Sequence, residues 1–170
     1  MYLSEQAIKD ILMKKLTFII VIIFAIACHH GRKESHLPFF NLLLPDSTTR
    51  FNTAMIPEGK TTILLYFSPD CEHCQHETEG ILHAMDSLKE IRFYFITTDS
   101  LNRMTVFYNF YQLYRYPNIT VGQDYTSSFR RRFNSPAQHY LVIYDQHKRQ
   151  KGVFEGATSV SQIIEFVNKL

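Results

Sequence analysis

Long apolar runs, charge excess and cysteine are all scarce in this chain of 170 residues, and tryptophan is absent. The longest apolar stretch, Leu16 to Ala27, has twelve residues with Thr17 as its one polar member. Twelve helical residues reach about 18 Å against the ~30 Å of a bilayer's hydrocarbon core, which argues against a stable transmembrane helix. The net charge of +2 becomes 15 basic against 14 acidic residues once residues 1–28 are set aside. A body so near neutrality argues against nucleic acid or another polyanion as the main partner. The run Arg130-Arg131-Arg132 reads as a solvated helix face. Only one Cys-x-x-Cys exists, at Cys71 and Cys74, so a four-cysteine zinc site is excluded. There is no internal repeat or low-complexity tract, and the length suits one globular domain plus an extension.

The extension has its own signature. Lys14-Lys15 lead into the apolar stretch, which ends at Ala25-Ile26-Ala27-Cys28. A basic start, a short apolar centre and small residues at the break read as a secretory signal, with Met13 the more natural start. The ending resembles the lipobox of bacterial lipoproteins, with Ala25 where leucine is usual. That resemblance implies cleavage before Cys28, a diacylglycerol on its sulfur, and a lipid anchor to the membrane on the periplasmic side of the cell envelope. Residues 1–28 are then the signal, 29–37 a polar tether and 38–170 the domain. Cys71 and Cys74 are left as the two remaining thiols, in a compartment where a disulfide can persist.

Those two carry the chemistry. Thr61 to Phe67 is a near-continuous apolar run that suits a strand covered on both faces. Cys71-Glu72-His73-Cys74 follows it and opens a helical stretch. A helix N-terminus offers unpaired N–H groups and partial positive charge, which favour a thiolate, the attacking species in disulfide exchange. Glu72 and His73 are the candidate tuning residues. A protonated His73 would push the couple towards oxidant, while Asp70 and Glu72 would push it back. A shift of one or two pKa units either way is worth ~30–60 mV, so direction is left open, with a lean towards reductase.

Further along, Ile81, Leu82, Met85 and Leu88 fall on one helical face. Ile91 to Thr97 is the next strand. Asp99 or Ser100 caps a helix to about Tyr114, with Leu101, Met104, Tyr108 and Tyr111 buried. Thr48 to Lys60 is expected as a hairpin or loop, Val121 to Asp124 as a loop, and 125–133 as a short helix. His139 to Asp145 and Gln150 to Glu155 form a hairpin, and a last helix runs over 159–170.

Strand, Cys-x-x-Cys at a helix start, a second strand, then a Pro-led hairpin and a final helix resemble the thioredoxin-like superfamily. More narrowly, 38–170 is similar to exported TlpA-like/redoxin (AhpC/TSA-type) oxidoreductases. The resemblance implies an α/β fold, three-layer α/β/α with a mixed central sheet. It also implies Cys71 as nucleophile and Cys74 as resolving thiol, with no bound cofactor. Pro136, with Ser135 before it, matches the family's substrate-facing cis-proline. The partners implied are exported protein disulfides or thiols and an external electron donor. Three departures separate the chain from a general thioredoxin: Asp70 replaces the usual Trp, Leu65 replaces a buried acid, and Glu-His replaces Gly-Pro.

Two rival readings use the same thiols. Peroxiredoxins share a Ser or Thr three residues before the reactive cysteine, as Ser68 is here, although Leu64 stands where they have proline. A copper-binding metallochaperone would use Cys71, Cys74 and His139. His73, His76, His83 and His139 read individually as surface or helix-face residues. A purely structural disulfide across a two-residue gap would contribute little, at the low end of about 0–5 kcal/mol.

Overall fold

The computed structural model describes residues 36–134 and 139–170. The expected signal with Cys28, nearly all of the tether, and the Ser135-Pro136 pair lie outside the described residues. Seven strands form one sheet: β1 (Asn41–Leu43), β2 (Arg50–Asn52), β3 (Thr62–Tyr66), β4 (Arg92–Thr97), β5 (Ile119–Gln123), β6 (Tyr140–Tyr144) and β7 (Gln150–Glu155). Their spatial order is β2-β1-β5-β4-β3-β6-β7. β3 pairs parallel to β4, and β4 parallel to β5. β6 lies antiparallel to both β3 and β7, so the sheet is mixed.

β3 lies inside the sheet between β4 and β6, and all five of its residues are buried. Strand alternation sends Ile63 and Leu65 to one face and Leu64 and Tyr66 to the other. The first face is covered by α1 (Glu72–His83), the four-residue α2 (Met85–Leu88), α3 (Leu101–Phe110) and α5 (Val160–Val167). Phe40, Leu42, Ile56 and, from α4 (Ser128–Phe133), Phe129 cover the second. That is the expected three-layer α/β fold. Among the described residues no helix is long and apolar enough to cross a membrane.

Helix ends follow local chemistry. Ser159 caps α5 through a reciprocal box: its hydroxyl accepts from the Gln162 amide (3.3 Å), and the Gln162 side chain accepts from the Ser159 amide (2.9 Å). Ser100 caps α3. That helix stops at Phe110 rather than Tyr114, because Gln112 takes a left-handed φ of 50° and a 3-10 turn over Leu113–Arg115 follows. Its most buried members are Met104 and Phe107; Leu101, Tyr108 and Tyr111 are half-buried.

Two segments differ from expectation. Val121 to Asp124 is not a loop, since Val121 to Gln123 complete β5, in register with Phe95 to Thr97 of β4. Gly122 and its polar neighbours hid the strand, yet glycine is what the site requires: a Cβ there would stand 2.7 Å from Leu42 Cβ. Gly122→Ala is therefore expected to destabilise the fold by about 1–3 kcal/mol through overpacking, read as a lower urea midpoint at unchanged slope. Segment 48–60 agrees with the hairpin or loop expected of it, since β2 returns against β1 with Leu42 opposite Phe51. Finally, Leu37, read as the end of the tether, is buried, and its amide donates to Lys148 O (3.0 Å).

Candidate active site

β3 delivers the chain to the site. Phe67 extends its pairing by donating to Ile96 O (2.9 Å), and Ser68-Pro69-Asp70 then turn into α1. Cys71 is the N-cap of that helix. Its sulfur accepts a hydrogen bond from the Cys74 amide at 3.3 Å, the place a Ser or Asp oxygen takes in an ordinary cap. Both thiols are unbridged.

The two sulfurs are unequal. Cys71 is half-exposed, whereas Cys74 is fully buried as a member of the core cluster on the α1 face of the sheet. Burial pushes the Cys74 thiol far above its ordinary value, and the hydrogen bond with Cys71 and the charge of Glu77 act in the same direction.

The approach to Cys71 is held by Asp99. Its carboxylate accepts from Ser68 Oγ (2.8 Å) and Thr97 Oγ1 (3.2 Å), and from Arg103, whose guanidinium also reaches Asp70. One acidic side chain thus fastens the active-site turn to the first turn of α3. Gln75 Nε2 adds a bond to Pro69 O at 2.8 Å. Asp99, expected as a cap or as nothing in particular, is a hub. Asp124, just after β5, accepts from the Phe129 amide in the first turn of α4 at 2.7 Å. Ser68's hydroxyl hydrogen is committed to Asp99, and Leu64 is sealed in β3.

Glu72 and His73 are exposed on the first turn of α1, where Glu72 lies 3.6 Å from His76. His76 and His83 are also exposed, as expected. His139 is not. It is 4% exposed and its Nε2 bonds Glu77 Oε2, itself in a residue 5% exposed, so reading it as a surface residue is corrected. Glu77 takes up that nitrogen, so a Cys71–Cys74–His139 copper site would have to use Nδ1. Among the described residues no group of three or more His, Cys, Asp and Glu is arranged to hold a metal.

Glu77 is the residue that sequence reasoning missed. It lies three positions after Cys74 and four before Ile81, on the helix stripe that faces the sheet. A carboxylate on that stripe was the available signal. Burial raises its pKa, against the hydrogen bond and charge of His139. Burial lowers the pKa of His139, but the hydrogen bond and charge of Glu77 outweigh it, and the net direction is up. The pair therefore keeps its protons to higher pH than its members would in water. Glu77 Oε1 and His139 Nδ1 have no hydrogen-bond partner among the described residues.

No family model and no curated protein matches this sequence. Solved structures do. A secreted Mycobacterium tuberculosis disulfide oxidoreductase homologous to E. coli DsbE superposes with a TM-score of 0.65 at 22% identity, covering 77% of this chain and 96% of that one. DsbF of the same organism gives 0.65 at 23%, covering 76% and 93%. A Plasmodium vivax 2-Cys peroxiredoxin gives 0.64 at 16%, covering 79% of each. With the mixed seven-stranded sheet between helical layers and a Cys-x-x-Cys at the start of α1, the chain has a thioredoxin-like fold.

Proposed function

We propose that the chain is a thiol–disulfide oxidoreductase of the cell envelope, acting on exported proteins through Cys71 and Cys74. The observation that carries this is the asymmetry of the pair: an accessible sulfur at a helix cap beside a buried, strongly protonated one. The Cys71 thiolate attacks one sulfur of a substrate disulfide, forming a mixed disulfide and releasing the other sulfur as a thiol. Cys74 then gives up its proton and attacks the Cys71 sulfur. The products are a Cys71–Cys74 disulfide and a substrate with two thiols, two electrons having passed from enzyme to substrate. An external dithiol donor returns the pair to its starting state. Glu77, one helical turn beyond Cys74, and its partner His139 from just before β6 form a buried acid–base pair suited to accepting the Cys74 proton.

A reducing direction is supported by Cys74, whose burial denies the reduced state a stable thiolate at that sulfur. Ser135 and Pro136 are proposed to present backbone to the substrate, and Glu72 and His73 to tune Cys71. Residues 1–28 support export, with Cys28 the proposed lipid attachment point.

The test is the reduction potential of the pair in the purified full-length chain, by equilibration with dithiothreitol. The expected value is near that of thioredoxin, about −270 mV; one near −120 mV would reverse the direction. A pair that does not cycle overturns the assignment.

A further inference from the structure

Beside Cys71 lies a groove of about 340 Å3, bounded by Pro69, Asp70 and Gln75 on one side and by α3 on the other. That volume is at the low end of small-molecule sites and suits two or three side chains rather than a nucleotide. Along α3, Asn102, Val106 and Phe110 recur at i, i+4 and i+8 and form one ridge of the groove, with Phe107 and Tyr111 beside them. Val106 is 62% exposed and Phe110 73%, a large apolar outlay for two neighbouring positions on a short helix. The charged groups at the groove do not ask for a charged ligand. Asp70 and Asp99 both bind Arg103, which leaves the apolar walls to decide what fits.

Resting on the exchange reading above, we infer that this groove is the docking site for the substrate polypeptide next to its reactive cysteine. It takes an aromatic or large aliphatic side chain in preference to a small polar or charged one. Continuity with the nucleophile carries the assignment. Pro69 and Asp70 are at once a wall of the groove and the two residues before Cys71, and Gln75 of the same helix start is a third, so the groove adjoins the turn that carries the nucleophile although Cys71 itself does not line it. The ridge residues are specificity-determining and take no part in bond making.

The experiment compares rate constants for reduction of two disulfide peptides by the full-length protein. The peptides are identical except for Phe-Leu or Ser-Ser beside the cysteine, and 2-hydroxyethyl disulfide serves as a flankless reference. The expected preference for the Phe-Leu peptide is about tenfold, the order of one apolar side chain moving from water into a partly open site. In the double variant Val106→Ser, Phe110→Ser the ratio of Phe-Leu to Ser-Ser rates falls to within about twofold. Val153→Ser, at an exposed apolar residue of β7, keeps the wild-type ratio. Equal rates for the two peptides in wild type, or an unchanged ratio in the double variant, overturns the groove assignment while exchange itself stands. Failure to reduce even 2-hydroxyethyl disulfide overturns the exchange reading and the groove with it.

Discussion

Cys71→Ser is expected to abolish disulfide reduction down to the solution background, while Cys74→Ser stops the reaction halfway with the substrate still attached. The difference follows from where each sulfur lies. Only Cys71 reaches solvent, and a serine hydroxyl at its position would remain protonated and unreactive towards sulfur. Without Cys74 the first attack proceeds, but nothing adjacent can displace the substrate from Cys71. About one adduct per chain should then accumulate, visible as an intact-mass increase that dithiothreitol removes. The buried sulfur cannot take over in Cys71→Ser, because no disulfide of folded size reaches it. Full turnover by Cys74→Ser, or an adduct on Cys74 in the reciprocal variant, would reverse the two roles.

Breaking the Glu77–His139 pair should cost more stability than any other single side-chain change at the site. Glu77→Ala leaves a buried imidazole without its acceptor, and His139→Ala strands a buried carboxyl. Each is expected to lower unfolding free energy by about 3–5 kcal/mol, whereas removing both partners in Glu77→Met, His139→Leu should recover most of that. Recovery of stability without recovery of exchange rate would separate the pair's role in proton transfer from its role in packing.

The same pair sets a pH dependence. The pKa of Glu77 is raised from 4.5 and that of His139 from 6.5, and both shifts have the same consequence. Their contribution to stability is fully present below the unfolded values and is lost as pH rises through the higher folded ones. The wild type should therefore unfold at lower urea at pH 8.5 than at pH 5.5, and the double variant should show a flatter profile. Asp145 acts in the opposite sense at the acid end. Burial pushes its carboxyl up, but the amides of Arg149 and His147 and the Arg149 guanidinium prevail and bring it to about 2. Its stabilisation is present above 3.8 and lost as pH falls towards about 2. A midpoint that rises from pH 5.5 to 8.5 would contradict the Glu77–His139 assignment.

Much of this architecture was legible in the chain because the signals are local. β3, β4 and β6 are short apolar runs, α5 carries its capping box at Ser159 and Gln162, and the Cys-x-x-Cys spacing needs only four residues to state its chemistry. What escaped depends on contacts between distant segments. β5 is a strand because β4 on one side and β1 on the other pair with it, not because its own sequence alternates. Glu77 and His139 are 62 residues apart and meet only once α1 lies across the sheet, so each alone looked like an ordinary polar residue. Asp99 likewise became a hub only when Ser68 and Asp70 were brought back beside α3. Ser135 and Pro136 lie outside the described residues.

The unequal access of the two sulfurs also governs how the centre meets chemical damage. A small oxidant arriving from solvent finds Cys71 first, and Cys74 is shielded by the core. Peroxide would convert Cys71 to a sulfenic acid, the reversible rung of thiol oxidation. The thiol of Cys74 adjoins it and can condense with it, expelling water and leaving the same disulfide that the proposed exchange would produce. An insult that would drive an isolated cysteine on to irreversible acids would thereby be returned to the proposed cycle.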